Sequence, residues 1–130
     1  MDIEVTAGII TESNRILIAR RGEGKARAGK WELPGGKVEP DEKPEDCLKR
    51  ELLEEFGIHV TVGDLYMITH HSYPDVDISL LAYRVIDYKG TISLNEHQQV
   101  KWISPADFVK YEFAAADKPV LKSLADEQQV

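Results

Sequence analysis

Cysteine, long apolar runs and positive charge are the scarce features of this chain. Its one cysteine, Cys47, excludes an intramolecular disulfide and fits a reducing compartment. No apolar run approaches the roughly 18 residues of a membrane span, so no membrane partner is expected. The opening residues MDIEVTAGII carry Asp2 and Glu4 where a secretory signal would be basic, and the expected location is the cytoplasm. Sixteen Lys and Arg face 23 Asp and Glu, a net charge of −7. That balance argues against a nucleic acid polymer as partner, because neutralisation of phosphates by Lys and Arg supplies most of such affinity. It leaves small phosphorylated ligands open, since a bound metal ion supplies positive charge locally.

What is present fits one domain over residues 1–130: 42% hydrophobic and 30% charged, with no repeat, low-complexity tract or linker. IEVTAGIIT and RILIAR read as strands separated by the turn ESN. Residues 22–30, GEGKARAGK, lack periodicity and read as a mobile, functional loop, which WELPGGKVEP continues through a Pro-Gly-Gly turn. A helix is predicted from Pro44 to Phe56, with Pro in its first turn, Gly57 at its end, and Leu48, Leu52 and Phe56 as its buried stripe. IHVTVGDLYMI, DISLLAYRVI, GTISL and QVKWI read as further strands. Ser104 to Asp107 resembles a capping box before a short helix. A last helix after Asp117 carries Val120, Leu121 and Leu124 inward. The predicted fold is α/β (α+β), an α/β/α sandwich with a mixed sheet.

The helix over residues 44–56 poses a physical problem. Glu51, Glu54 and Glu55 fall at i, i+3 and i+4, where like charges repel. They emerge beside the apolar stripe, at the edge of the core. Three carboxylates there suit Mg²⁺ or Mn²⁺, hard ions that take oxygen ligands. The turn at Gly35 and Gly36 lets backbone approach closely. The plainer reading is a solvated acidic face with Arg50 paired to Glu54. The wider pattern decides against it: Gly-x5-Glu-x7-Arg-Glu-aliphatic-x-Glu-Glu-x-Gly-aliphatic is met at Gly36, Glu42, Arg50, Glu51, Leu52, Glu54, Glu55, Gly57 and Ile58.

This segment resembles the Nudix box. AGKWELPGGKVEPDE, NEHQQVKW and AAADKPVLKSL extend the likeness to MutT-type members of the Nudix hydrolases. The resemblance implies an Mg²⁺-dependent pyrophosphohydrolase that converts nucleoside triphosphates to monophosphate and pyrophosphate. By that resemblance Glu51, Glu54, Glu55, the Gly35 carbonyl and the downstream Glu96 would hold metal, while Glu42 and Arg50 orient loop and helix. Glu51 and Glu96 are both candidates for the base. Glu96 also reads as a plain loop glutamate. Arg21, beside Arg20, matches a phosphate-contacting position or forms a surface pair. Glu32 would lie near the phosphates or a metal. Asp117 matches the position of a base-reading residue, and equally reads as a helix N-cap. An ionised Asp117 would accept from an amino base such as cytosine or guanine and be repelled by uracil or thymine O4; a protonated one would widen the choice.

The implied substrates are CTP, dCTP, 5-methyl-dCTP or an oxidised purine nucleotide such as 8-oxo-dGTP, with a monomer or homodimer as assembly. Pro74 leaves an ADP-ribose pyrophosphatase as an alternative, and a non-catalytic nucleotide-binding domain is a third. His70 and His71 read as an exposed turn, Tyr73 and Trp31 as packing or base-stacking aromatics, and Cys47 as core filler.

Overall fold

Alternation of buried side chains along the strands sorts the core into two clusters, one on each face. The computed structural model describes residues 2–95, 97 and 99–128. The strands are β1 (Asp2–Ile9), β2 (Thr11–Glu12), β3 (Arg15–Arg20), β4 (Trp31–Glu32), β5 (Gly35–Lys37), β6 (His59–Ser72), β7 (Asp77–Lys89) and β8 (Gln99–Ile103). The helices are α1 (Pro44–Phe56) and α2 (Lys118–Gln128). In β3, Leu17 and Ala19 join the α1 residues Leu48, Leu52 and Phe56, whereas Ile16 and Ile18 join Val120, Leu121 and Leu124 of α2. In β7, Leu81 and Tyr83 face α1, and Leu80 and Ala82 face the α2 cluster. Period-2 strands therefore carry one helix on each face, the predicted α/β/α sandwich. Each fully buried Leu or Phe contributes about 1.5–3 kcal/mol of transfer free energy.

The strands divide into two sheets. One is mixed, in the order β5-β1-β7-β6, with β1 parallel to β7 and the other pairs antiparallel. The second joins β2, β3 and β4, with β8 also paired to β3, all antiparallel. Ser13 and Asn14, with φ of 52° and 64°, make the tight β2–β3 turn. Two positive φ angles in succession match the twist of flanking strands.

Helix α1 has the predicted bounds. Gly57 closes it at φ 71°, its N–H reaching the Leu52 and Leu53 carbonyls. The strand expected at GTISL is not formed. Residues 91–95 instead lie against the end of α1, where Ser93 N donates to Phe56 O (2.9 Å) and Asn95 N to Glu55 O (3.2 Å). These carbonyls have no partner within the helix, so the segment serves the helix end rather than a sheet. The segment after Ser104 is a 3-10 helix, Pro105–Lys110, and Ser104 does not cap it through its side chain. Its hydroxyl donates to Gln128 Oε1 at 3.1 Å. Two short strands were not foreseen: β4 and β5 contain only two and three residues, too few to show alternation. No helix among the described residues is long and apolar enough to cross a membrane.

Candidate active site

Two glycines of different purpose place α1 against the sheet. Gly35 pairs with Ala7 in β1, and a Cβ on it would lie 2.0 Å from the Thr6 carbonyl oxygen. Gly36 faces the helix: a Cβ there would lie 2.2 Å from Glu51 Cδ. The absent side chain of Gly36 thus forms the cradle that receives the Glu51 carboxylate. Beneath it, Thr6 Oγ1 donates to Gly36 O (3.2 Å), and the buried Cys47 thiol reaches Lys37 O (3.4 Å). Burial raises the Cys47 thiol to about 11, so it stays protonated, consistent with a packing role.

Arg50 gathers the carboxylates. Its Nε and Nη2 donate to the two Glu42 oxygens at 2.7 and 2.9 Å, a bidentate pair. Nη1 reaches Glu51 Oε1 (3.0 Å) and Glu54 Oε2 (3.2 Å). Hydrogen bonds from Arg50 and from the Glu39 N–H hold the Glu42 carboxyl down at about 2. Glu51 behaves oppositely. Burial pushes its carboxyl above the usual carboxylate range, and the Glu54 charge adds to this, against hydrogen bonds with Glu55 and Arg50. Crowded, partly buried carboxylates of this kind favour a proton or a cation nearby. Among the described residues no three acidic, His or Cys groups already stand together as a closed ligand set. The donors nevertheless fit a hard divalent ion: oxygen atoms only, a surplus of negative charge, and a glycine cradle beside one of them.

A second group stands across the cleft. Arg21 Nη1 donates to Glu32 Oε1 (2.7 Å), and its Nε to the Ala26 carbonyl (2.6 Å). Glu32 Oε2 lies 2.6 Å from His97 Nε2. Asp117 is buried, its Oδ1 accepting from Leu33 N at 3.1 Å. That bond ties the residue before α2 to the backbone just after β4, at the border of the cleft. Burial, reinforced by the Glu32 charge, raises Asp117 to about 8, against the lowering effects of Leu33 N–H and Arg21. It is therefore a neutral acid at pH 7, the case in which it donates as well as accepts.

Both groups line one cleft of about 580 Å³, within the range of small-molecule sites. Gly35, Arg21, Glu32, Arg50, Glu51, Glu54, Glu55 and Asp117 all border it. Glu42 stands behind, bonded to Arg50, and Glu96 lies outside the described residues. Apolar Ile78, Leu80, Ala114 and Ala116 line the cleft alongside the charged groups. The loop at 22–30 lines it through Gly22, Lys25 and Arg27. Arg27 is tied down by Asp75 (3.2 Å) and by the Tyr73 ring, 4.1 Å from its guanidinium carbon.

His70 and His71 are exposed on β6, and Trp31 packs edge-on against Tyr111. Pro74 is exposed in the β6–β7 turn, outside the cleft lining. Sequence reading passed over His97, Thr6 and the Tyr73–Arg27 contact. Only His97 carried a signal, as the neighbour of Glu96 in NEHQQV.

The model of the NUDIX domain matches residues 2–124, and the chain belongs to that family of hydrolases. Among individual relatives it is 43% identical over 121 residues to the CTP pyrophosphohydrolase of Escherichia coli (strain K12), covering 93% of this chain and 90% of the relative. It is 35% identical over 123 residues to the 8-oxo-dGTP diphosphatase of the same organism, covering 94% and 95%. The solution structure of the E. coli ORF135 protein superposes with a TM-score of 0.87 at 41% identity, covering 98% of this chain and 91% of that one.

Proposed function

We propose that residues 1–130 form one cytoplasmic hydrolase domain, a monomer or homodimer, that splits nucleoside triphosphates into monophosphate and pyrophosphate with Mg²⁺, or Mn²⁺ in its place. One observation carries this reading: Glu51 and Glu54, gathered by Arg50 beside the Gly36 cradle, line with Glu55 the same cleft that Asp117 borders. A triphosphate joins a polyanion to a flat base, and a cleft with both charged and apolar lining suits it.

Glu51, Glu54 and Glu55, with the Gly35 carbonyl and Glu96, would hold the metal. When bound, a divalent cation neutralises phosphate oxygens and acidifies a water molecule. Arg21 and Glu32 face the phosphate chain, Arg21 as a fixed donor held in place by Ala26 O and Glu32. Glu42 and Arg50 fix the carboxylates. Hydrolysis breaks the anhydride bond between the α and β phosphorus atoms, and water adds across it. Its proton passes to a carboxylate, Glu51 or Glu96. A protonated Asp117 at the cleft would offer a donor beside an acceptor. Such a pair complements the N3/N4 edge of cytosine and the N1/O6 edge of guanine. The names of the two E. coli relatives support CTP and 8-oxo-dGTP as substrates, and dCTP and 5-methyl-dCTP are candidates because they share the cytosine base.

The test is pyrophosphate release from CTP, dCTP, 5-methyl-dCTP, 8-oxo-dGTP, dUTP and ADP-ribose with Mg²⁺, using wild type and Glu51→Gln. Turnover of a cytosine or oxidised guanine nucleotide, reduced at least about 100-fold in the variant, is expected. Full activity in Glu51→Gln, or preference for ADP-ribose, contradicts the assignment.

A further inference from the structure

We propose that His97 is a positioning residue that sets the spacing between the Arg21–Glu32 pair and the carboxylate helix α1. This inference rests on the proposed role of Arg21 and Glu32 at the substrate phosphates.

His97 touches both sides of the cleft. Its ring stacks on Phe56, the last residue of α1, with centroids 5.1 Å apart and planes 22° apart. Its Nδ1 edge lies 3.8 Å from Glu55 Oε2. On the far side Nε2 lies 2.6 Å from Glu32 Oε2. A carboxylate only accepts, so Nε2 carries the proton and donates. The imidazole side chain is only 7% exposed, and the Phe56 side chain beneath it is fully buried. A flat ring clamped on a buried ring has little freedom, so its hydrogen bond fixes the position of Glu32.

The consequence reaches Arg21. Glu32 has two oxygens, and His97 takes Oε2 while Arg21 Nη1 takes Oε1. Without His97 the Glu32 carboxylate is free to rotate toward Arg21 and accept from it in a bidentate fork. Arg21 would then turn from the cleft toward its own partner. His97 thus keeps Glu32 to one bond with Arg21 and holds both at a set distance from α1. β4 belongs to the sheet of β2, β3 and β8, whereas β5, which contributes the Gly36 cradle facing α1, pairs with β1 in the other sheet. Among the described residues, His97 links Glu32 directly to Phe56 and Glu55 at the C-terminal end of α1.

Two substitutions separate the contacts. His97→Phe keeps the stack on Phe56 and removes the donor. His97→Gln removes the stack and keeps an amide N–H at the Nε2 position. The expected result is KM for the triphosphate raised roughly tenfold in His97→Phe, the effect of losing one charge-assisted hydrogen bond, with kcat within about twofold. His97→Gln should recover most of that loss. Arg21→Ala combined with His97→Phe should be no worse than Arg21→Ala alone, because the two act through one contact.

A substrate-independent readout accompanies the kinetics. In the nucleotide-free protein, the His97 Nε2–H proton should appear as a slowly exchanging downfield NMR resonance that Glu32→Gln removes. Multiplicative effects in the double variant, an unchanged KM with only a lowered Tm in His97→Phe, or absence of that resonance overturns the proposal. Presence of the resonance in a protein that hydrolyses no nucleotide keeps the His97–Glu32 contact and refutes the proposed function instead.

Discussion

Asp117 shows how one buried titratable side chain carries a cost to stability at the edge of the cleft. Its folded pKa of about 8 lies above the ordinary aspartate value of 3.8. Between those values the native chain holds a proton that the unfolded chain releases, so stability falls as pH rises from about 4 towards 8. Asparagine keeps a carbonyl for the Leu33 N–H and does not titrate. Asp117→Asn should therefore raise Tm relative to wild type at pH 8, with a smaller gain at pH 5. A Tm difference that is constant across that range would show that Asp117 is not protonated in the fold. The residue was legible in the sequence as a base reader or an N-cap, but not the choice between them. Its contact with Leu33, 84 residues away, left no local pattern in the sequence.

At the scale of elements, α1 was the most legible part of the chain. Its stripe of Leu48, Leu52 and Phe56, its Pro start and its Gly57 stop are all local signals, and the helix has the predicted bounds. The segments around it were less so. Residues 91–95 have the composition of a strand, yet the open carbonyls at the end of α1 take their N–H groups. Strand β5 is Gly-Gly-Lys, with almost no side chains to alternate, and is defined by its pairing with β1. The two glycines of β5 give a sharp prediction. Gly36→Ala drives a methyl group into the Glu51 carboxylate, the far end of a flexible side chain rather than backbone. It should reduce activity at least about 100-fold, with Tm shifted by only a few degrees, as read by paired activity and thermal melts. Gly35→Ala meets the Thr6 backbone, which has no such freedom. It should destabilise by about 1–3 kcal/mol. Equal Tm losses in the two variants would refute the division of labour.

At the scale of the molecule, the sandwich brings together residues far apart in sequence. Helix α1 lies on one face and α2 on the other, and the cleft takes side chains from β1, β4, β5, β7, α1 and the segment before α2. Glu51, Glu54 and Glu55 line that cleft together where a triphosphate would sit. A polyanion and a carboxylate cluster repel unless cations intervene, which makes metal dependence the central claim. The measurement that tests it most directly is ³¹P NMR of CTP incubated with the protein, with Mg²⁺ and with EDTA. CMP and pyrophosphate are expected with Mg²⁺, and no reaction with EDTA. Release of CDP and orthophosphate, or equal turnover in EDTA, would contradict that expectation.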